Sequence, residues 1–125
     1  MIVLLDAHAF LWWLAGDPKL RAAAASAIQD PMNDVLVSAA TIWEIAIKRE
    51  MGKLEAPEDL SADVERAGFS GLPINLADAT RAGALPRHHR DPFDRMLVAQ
   101  ALRLEATIVS RDRAFDAYGV PRLAA

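Results

Sequence analysis

Cysteine is absent from the 125 residues, so neither a disulfide nor a thiolate metal site can contribute to this protein. A reducing compartment is compatible with that, and a cytoplasmic location is expected. Long apolar runs are missing as well: the stretch from Ala7 to Gly16 falls far short of the roughly 20 residues a membrane helix needs. The N-terminal stretch has no basic segment and Asp6 interrupts its apolar run, which argues against a signal peptide. No membrane association is expected. A basic excess is also lacking. With a formal net charge of -3, the chain cannot hold nucleic acid by a basic surface alone, and a polyanionic partner needs help from cations. There is no Gly-rich phosphate loop, no G-x-S-x-G elbow, no dinucleotide fingerprint, no internal repeat and no interdomain linker.

What is present is a chain that is 53% hydrophobic and 25% charged, enough to fold and stay soluble, and of a length that suits one domain over residues 1–125. Ile2-Val3-Leu4-Leu5 is continuously apolar, as in a strand buried on both faces, and Asp6 closes it. Residues 7–15 read as an unusually apolar helix and 20–28 as an Ala-rich one. Residues 34–38 form a second strand, and Ser38 or Thr41 caps the helix that follows to about Met51. Residues 57–68 read as a surface helix. Leu72-Pro73-Ile74-Asn75 is a short edge strand at most, because of its proline. A helix over 77–85, one from Asp91 onward, a strand over 106–110, a helical turn to Ala117 or Tyr118 and an edge strand over 119–123 complete the chain. Strands alternating with helices imply right-handed crossovers, hence a small parallel sheet of about five strands with helices on both faces, an α/β fold.

In such a sheet, sites form beyond the carboxyl ends of the strands. Asp6 and Asp112 each follow a strand, Asp94 lies in the first turn of the helix that feeds the second of these, and Glu44 lies two turns into the helix after residues 34–38. Each acid also has a structural use. Asp6 and Asp112 can cap helices, Glu44 can pair with Lys48 at i,i+4, and Asp94 can complete a capping box with Asp91. Asp94, however, is followed at i+3, i+4 and i+7 by Leu97, Val98 and Ala101, so it heads an apolar stripe and points inward. Convergence of the four carboxylates explains them jointly, and converging carboxylates repel unless a divalent cation lies between them. Oxygen ligands favour Mg²⁺ or Mn²⁺ over zinc.

The histidines give no comparable signal. His8 reads as a helix-start residue packed on the sheet, and His88-His89 as a solvated loop. Trp12, Trp13 and Trp43 exceed what a small core must bury, and an apolar groove for a partner is the second use open to them.

In order and spacing, Leu4-Leu5-Asp6-Ala7-His8-Ala9-Phe10-Leu11-Trp12-Trp13, the run Ser38 to Lys48, Gly52-Lys53-Leu54, Leu72-Pro73-Ile74 and His89-Arg90-Asp91-Pro92-Phe93-Asp94-Arg95 resemble the PIN-domain ribonucleases, specifically the VapC-type toxins of toxin–antitoxin pairs. The resemblance runs nearly end to end. It implies a PIN-like fold, Mg²⁺- or Mn²⁺-dependent cleavage of RNA, and inhibition by a VapB-type antitoxin; a homodimer is also expected. It assigns the acidic positions to Asp6, Glu44, Asp94 and Asp112, with Asp6, Asp94 and Asp112 holding metal and Glu44 either holding a second ion or orienting water. Ala7 departs from the small hydroxyl residue, usually Thr, that often follows the first Asp in the family. Arg87, Arg90, Arg95 and Arg111 are either contacts for flanking phosphates or solvated charges. The rival from another class is a protein with a vestigial site that acts only by binding a partner; retention of all four acids weighs against it. A haloacid-dehalogenase-like phosphohydrolase is disfavoured because Asp6-Ala7-His8 lacks that group's Asp-x-Asp nucleophile pattern.

Overall fold

A computed structural model describes residues 1–125. Its elements in order are β1 (Ile2–Leu5), α1 (Ala7–Ala15), α2 (Ala22–Gln29), β2 (Asp34–Ser38), α3 (Ala39–Glu50), α4 (Leu60–Arg66), β3 (Ser70–Leu72), α5 (Leu76–Ala84), α6 (Pro92–Leu104), β4 (Thr107–Val109), a 3₁₀ helix (Arg113–Tyr118) and β5 (Arg122–Leu123). The five strands form one parallel sheet in the order β3-β2-β1-β4-β5. Leu4 of β1 pairs with Leu36 of β2 on one side and Ile108 of β4 on the other, so β1 is central.

The unbroken apolar run of β1 follows from that position. Val3 and Leu5 face one core, with Phe10 of α1, Ala24 and Ile28 of α2, and Val64 of α4. Leu4 and Ile108 face a second core, built from Leu97, Val98 and Ala101 of α6 and Phe115 of the 3₁₀ helix. Side chains that alternate across a strand need an apolar partner on both faces when helices cover both.

Two boundaries differ from the sequence expectation for identifiable reasons. The edge strand lies at Ser70–Leu72, before Pro73 rather than across it, because proline has no N–H to give the ladder. The helix expected over 57–68 is shorter and starts at Leu60, where the Asp59 side chain accepts from the Ala62 N–H; Leu60 and Val64 are buried, so it covers part of the core.

The connectivity positions the site. From β1 the chain moves to β2 and β3 on one side, then crosses back to β4 on the other, so the sheet's order reverses beside β1. The carboxyl ends of β1 and β4 flank that crevice, the place where open α/β sheets bind ligands. The Asp6 N–H donates to the Val109 carbonyl at 3.2 Å, joining the two strand ends. The Thr41 hydroxyl, 3.5 Å from the Leu5 carbonyl, brings α3 against the same edge.

Candidate metal centre

Asp6, Glu44, Asp94 and Asp112 come from four segments and line one cleft of about 370 Å³ at this crevice. Asp6 leaves β1, and one of its oxygens caps α1 by accepting the Ala9 N–H at 2.9 Å. Capping and a place in the cleft are thus combined in one carboxylate. Asp112 does the same after β4: Oδ1 accepts the Ala114 N–H at 2.9 Å, and Oδ2 faces the cleft.

Glu44 is buried, 8% exposed, and its carboxylate is within 2.5 Å of Lys48 Nζ. The i,i+4 pair therefore exists, but it lies in the cleft rather than on a solvated helix face. Lys48 is held charged more firmly than an ordinary lysine, first by its hydrogen bond to Glu44 and further by the fields of Asp91 and Asp94.

Asp94 does not complete a capping box. Asp91 caps α6 alone, its Oδ1 accepting from the Phe93 and Asp94 N–H groups at 2.8 and 3.2 Å, and the Asp94 side chain turns inward. Burial above all, then the charge of Asp91 and those of Glu44 and Asp6, raise the Asp94 carboxyl to about 7 against the opposing effect of His89. Asp6 is also pushed up, mainly by burial, against hydrogen bonds from Ser110 and the Ala9 N–H. Two half-buried carboxyls that resist ionisation, facing other acids, form a site that favours a cation. Carboxylate oxygens are donors that a divalent cation takes, and ligand atoms of His89, Asp94 and Asp112 lie within 4.8 Å of one another.

Two residues missed by the sequence reading belong here. His89 is no solvated loop residue: its Nε2 lies 2.8 Å from Asp94 Oδ2 and 2.9 Å from Asp112 Oδ2. The available signal was its position two residues before the cap of a helix whose first turn carries a buried acid. Ser110 is wholly buried; its hydroxyl accepts the Asp112 N–H at 3.0 Å and hydrogen-bonds Asp6. Its signal was the same as that of Asp6, a polar residue closing an apolar parallel strand.

Other expectations need correction. His8 is exposed and lies beside Trp12, ring centroids 5.5 Å apart, instead of packing on the sheet, because the start of α1 borders the acid cleft that both residues line. Arg95 is neither a solvated charge nor free for phosphate: its guanidinium donates to the carbonyls of Ala82, Leu85 and Pro86 at 2.9–3.0 Å, holding the turn before α6. Arg87 and Arg90 are exposed, and the Arg111 guanidinium lies 4.5 Å above the Trp12 ring at the cleft mouth.

The tryptophans do not share one groove. Trp12 and Trp13 line a shallow pocket beside α2, and Trp12 also lines the acid cleft. Trp43 is 62% exposed, packs edge-on against Phe93 and borders a separate apolar groove of about 630 Å³ with Ile42, Val64, Phe69 and Leu72. Trp13 adjoins that groove through Phe69, ring centroids 6.1 Å apart. No helix is long and apolar enough to cross a membrane.

Residues 3–121 match the model of the PIN domain family. The ribonuclease VapC22 of Mycobacterium tuberculosis is 30% identical over 128 aligned positions, covering 96% of this chain and 94% of that protein. Ribonuclease VapC16 of the same organism is 43% identical over 54 residues, 40% of this chain and 38% of that protein. Among solved structures, VapBC2 from Rickettsia felis, bound to a DNA fragment from its promoter, superposes with a TM-score of 0.70 at 14% identity over 99% of this chain and 98% of the other. VapBC-1 from nontypeable Haemophilus influenzae superposes with a TM-score of 0.67 at 18% identity, covering 98% and 97%. The sequence match to VapC22 and the shared fold agree, and the chain belongs to the PIN-domain family, among its VapC-type members.

Proposed function

We propose that this protein is a Mg²⁺- or Mn²⁺-dependent endoribonuclease, the toxin of a toxin–antitoxin pair, acting as a single domain over residues 1–125 in the cytoplasm. The observation that carries the reading is the convergence of Asp6, Glu44, Asp94 and Asp112 on one cleft, two of them raised in pKa by burial and like charge. Asp6, Asp94 and Asp112 would hold the cation, with Glu44 as a further ligand or an orienting group for water. Mg²⁺ or Mn²⁺ bound there supplies Lewis-acid polarisation of a phosphodiester and a water of lowered pKa for in-line attack.

The protein's own groups do the rest. Ser110 restrains the Asp6 carboxylate through its hydroxyl and the Asp112 main chain through its oxygen. Lys48 limits the negative charge contributed by Glu44. Arg111 lines the cleft and Arg87 and Arg90 line a separate pocket that His89 also borders, positive charge that would help a net-negative protein hold RNA on either side of the cut. Retention of every acid in the cleft argues against a vestigial site that only binds a partner.

Inhibition by a VapB-type antitoxin and assembly as a homodimer belong to the same reading. Support comes from the exposed apolar surface around Trp43, and from Trp12, which connects apolar surface to the acid cleft. An antitoxin segment would anchor an apolar side chain at Trp43, or at Trp12 and Trp13, and place a cation among the acids. The test is cleavage of an RNA panel by the purified protein with and without Mg²⁺, beside Asp94→Asn. Metal-dependent cleavage lost in Asp94→Asn supports the reading; cleavage that survives the substitution, or no cleavage of any RNA, overturns it.

A further inference from the structure

We infer that His89 is a positioning residue of the acid cluster: its Nε2–H donates to the exposed Asp112 carboxylate beside the half-buried Asp94 carboxylate, as a hydrogen-bond donor and not as a metal ligand. The inference rests on the metal-dependent reading above. It starts from how firmly the residue is built in. The main-chain N–H of His89 donates to the Tyr118 hydroxyl at 2.9 Å, and its carbonyl accepts from Arg95 at 3.3 Å. The ring stands edge-on to Phe115 with centroids 6.0 Å apart. Nδ1 accepts the Asp91 N–H at 3.2 Å.

That last bond decides the ring's role. With Nδ1 an acceptor, the proton of the neutral ring is on Nε2, the atom 2.8 Å from Asp94 Oδ2 and 2.9 Å from Asp112 Oδ2. To ligate a cation through Nε2, the neutral ring would carry its proton on Nδ1, where it would meet the Asp91 N–H donor head on. A flip of the ring would break the same bond. The Asp91 side chain caps α6, so the main-chain group that fixes the tautomer belongs to the turn that presents Asp94.

The consequence falls on Asp112, the less anchored of the two acids. Its side chain is 45% exposed, against 17% for Asp94, and one of its oxygens is committed to capping the 3₁₀ helix. Two carboxylates facing each other repel, and a donor on Asp112 offsets that repulsion and holds it in register with Asp94 for a shared cation. A donor in this role typically changes metal affinity without touching the metal.

Titration calorimetry with Mn²⁺ and pulsed EPR of the bound Mn²⁺ test this on the full chain, using wild type, His89→Ala and His89→Gln. Glutamine can place an amide N–H near the position of Nε2–H and has no ring nitrogen to ligate with. Loss of the donor in His89→Ala should weaken Mn²⁺ binding by about 10–100-fold, while His89→Gln stays within about threefold of wild type. Wild type should show no directly bonded nitrogen coupling in the EPR spectrum. Three results would overturn the inference: tight binding by His89→Ala, which leaves His89 a loop staple; a folded His89→Gln that binds as weakly as the alanine variant; or a bonded nitrogen signal, which makes His89 a ligand. Should His89→Ala fail to fold, His89→Gln and the wild-type spectrum decide. A folded wild type that binds no Mn²⁺ overturns the metal reading itself, and this inference with it.

Discussion

Asp78 and Asp94 occupy the same position, the third residue of consecutive helices α5 and α6, each three residues after its cap. Their surroundings differ completely. Asp78 accepts from the main-chain N–H of its cap, Asn75, and from Arg103 through two bonds, Nε at 2.7 Å and a terminal nitrogen at 2.9 Å. Arg103 holds its carboxyl below the ordinary value of 3.8. Asp94 has no arginine; the adjacent Arg95 turns away to the loop carbonyls, and burial with Asp91, Glu44 and Asp6 pushes its carboxyl up to about 7. One buried aspartate is satisfied by the fold and stabilises it. Asp94 meets only the His89 ring, which does not offset burial among like charges, the state expected of a group kept for a ligand.

Substitutions that exchange these roles give the largest effects. Asp94→Asn and Asp6→Asn should each lower metal-dependent RNA cleavage by more than about 10²-fold, measured at matched metal and protein concentrations. Asp78→Ala should do the reverse, lowering Tm by roughly 4–8 °C while cleavage per folded molecule is unchanged, because it removes a buried carboxylate from its half-exposed Arg103 partner, away from the cleft lining. Equal activity losses in Asp78→Ala and Asp94→Asn would erase the distinction.

The two acids also have opposite pH signatures in the metal-free protein. Between about pH 4 and 7 folded Asp94 retains a proton that the unfolded chain releases, so its contribution to stability falls as pH rises through that window. Asp78 behaves in the ordinary way: its contribution is present above 3.8 and is lost as pH falls through its lowered value. Melting wild type and Asp94→Asn across this range should show the variant gaining roughly 3–8 °C near pH 8 and almost nothing near pH 4. A gain that does not depend on pH would assign the effect to packing. The smallest effect concerns the partner surface. Trp43→Ala should leave cleavage of free RNA nearly intact but weaken antitoxin binding by about tenfold or more in a titration.

Most of this fold was legible because β1, β2 and β4 are short apolar runs between helices, and parallel strands need little else to be recognised. The boundary errors fell where a side chain overrides the local pattern: Pro73 ends β3, and Asp59, rather than Pro57, starts α4. Asp6, Asp94 and Asp112 were legible as candidates from their places at strand and helix ends, and Glu44 from its place in the helix after β2. The pairing of the capping motifs was not. Asn75-x-x-Asp78 closes a capping box and Asp91-x-x-Asp94 does not, since Asp78 turns to its cap and to Arg103 while Asp94 turns inward to the His89 ring. His89 was hidden for a similar reason: its partners Asp112 and Tyr118 lie 23 and 29 residues away. The tryptophans were visible as a surplus, but their division between two surfaces depends on how α1 and α3 pack.

The measurement that tests the account most directly is the Tm of wild type and Asp94→Asn near pH 8, each with and without Mn²⁺. A crossover is expected: the variant melts higher without metal, because a half-buried repulsive charge is gone, and wild type melts higher with saturating Mn²⁺, because the ion uses that charge. A variant that melts lower without metal, or a Mn²⁺ shift equal in both proteins, would contradict it.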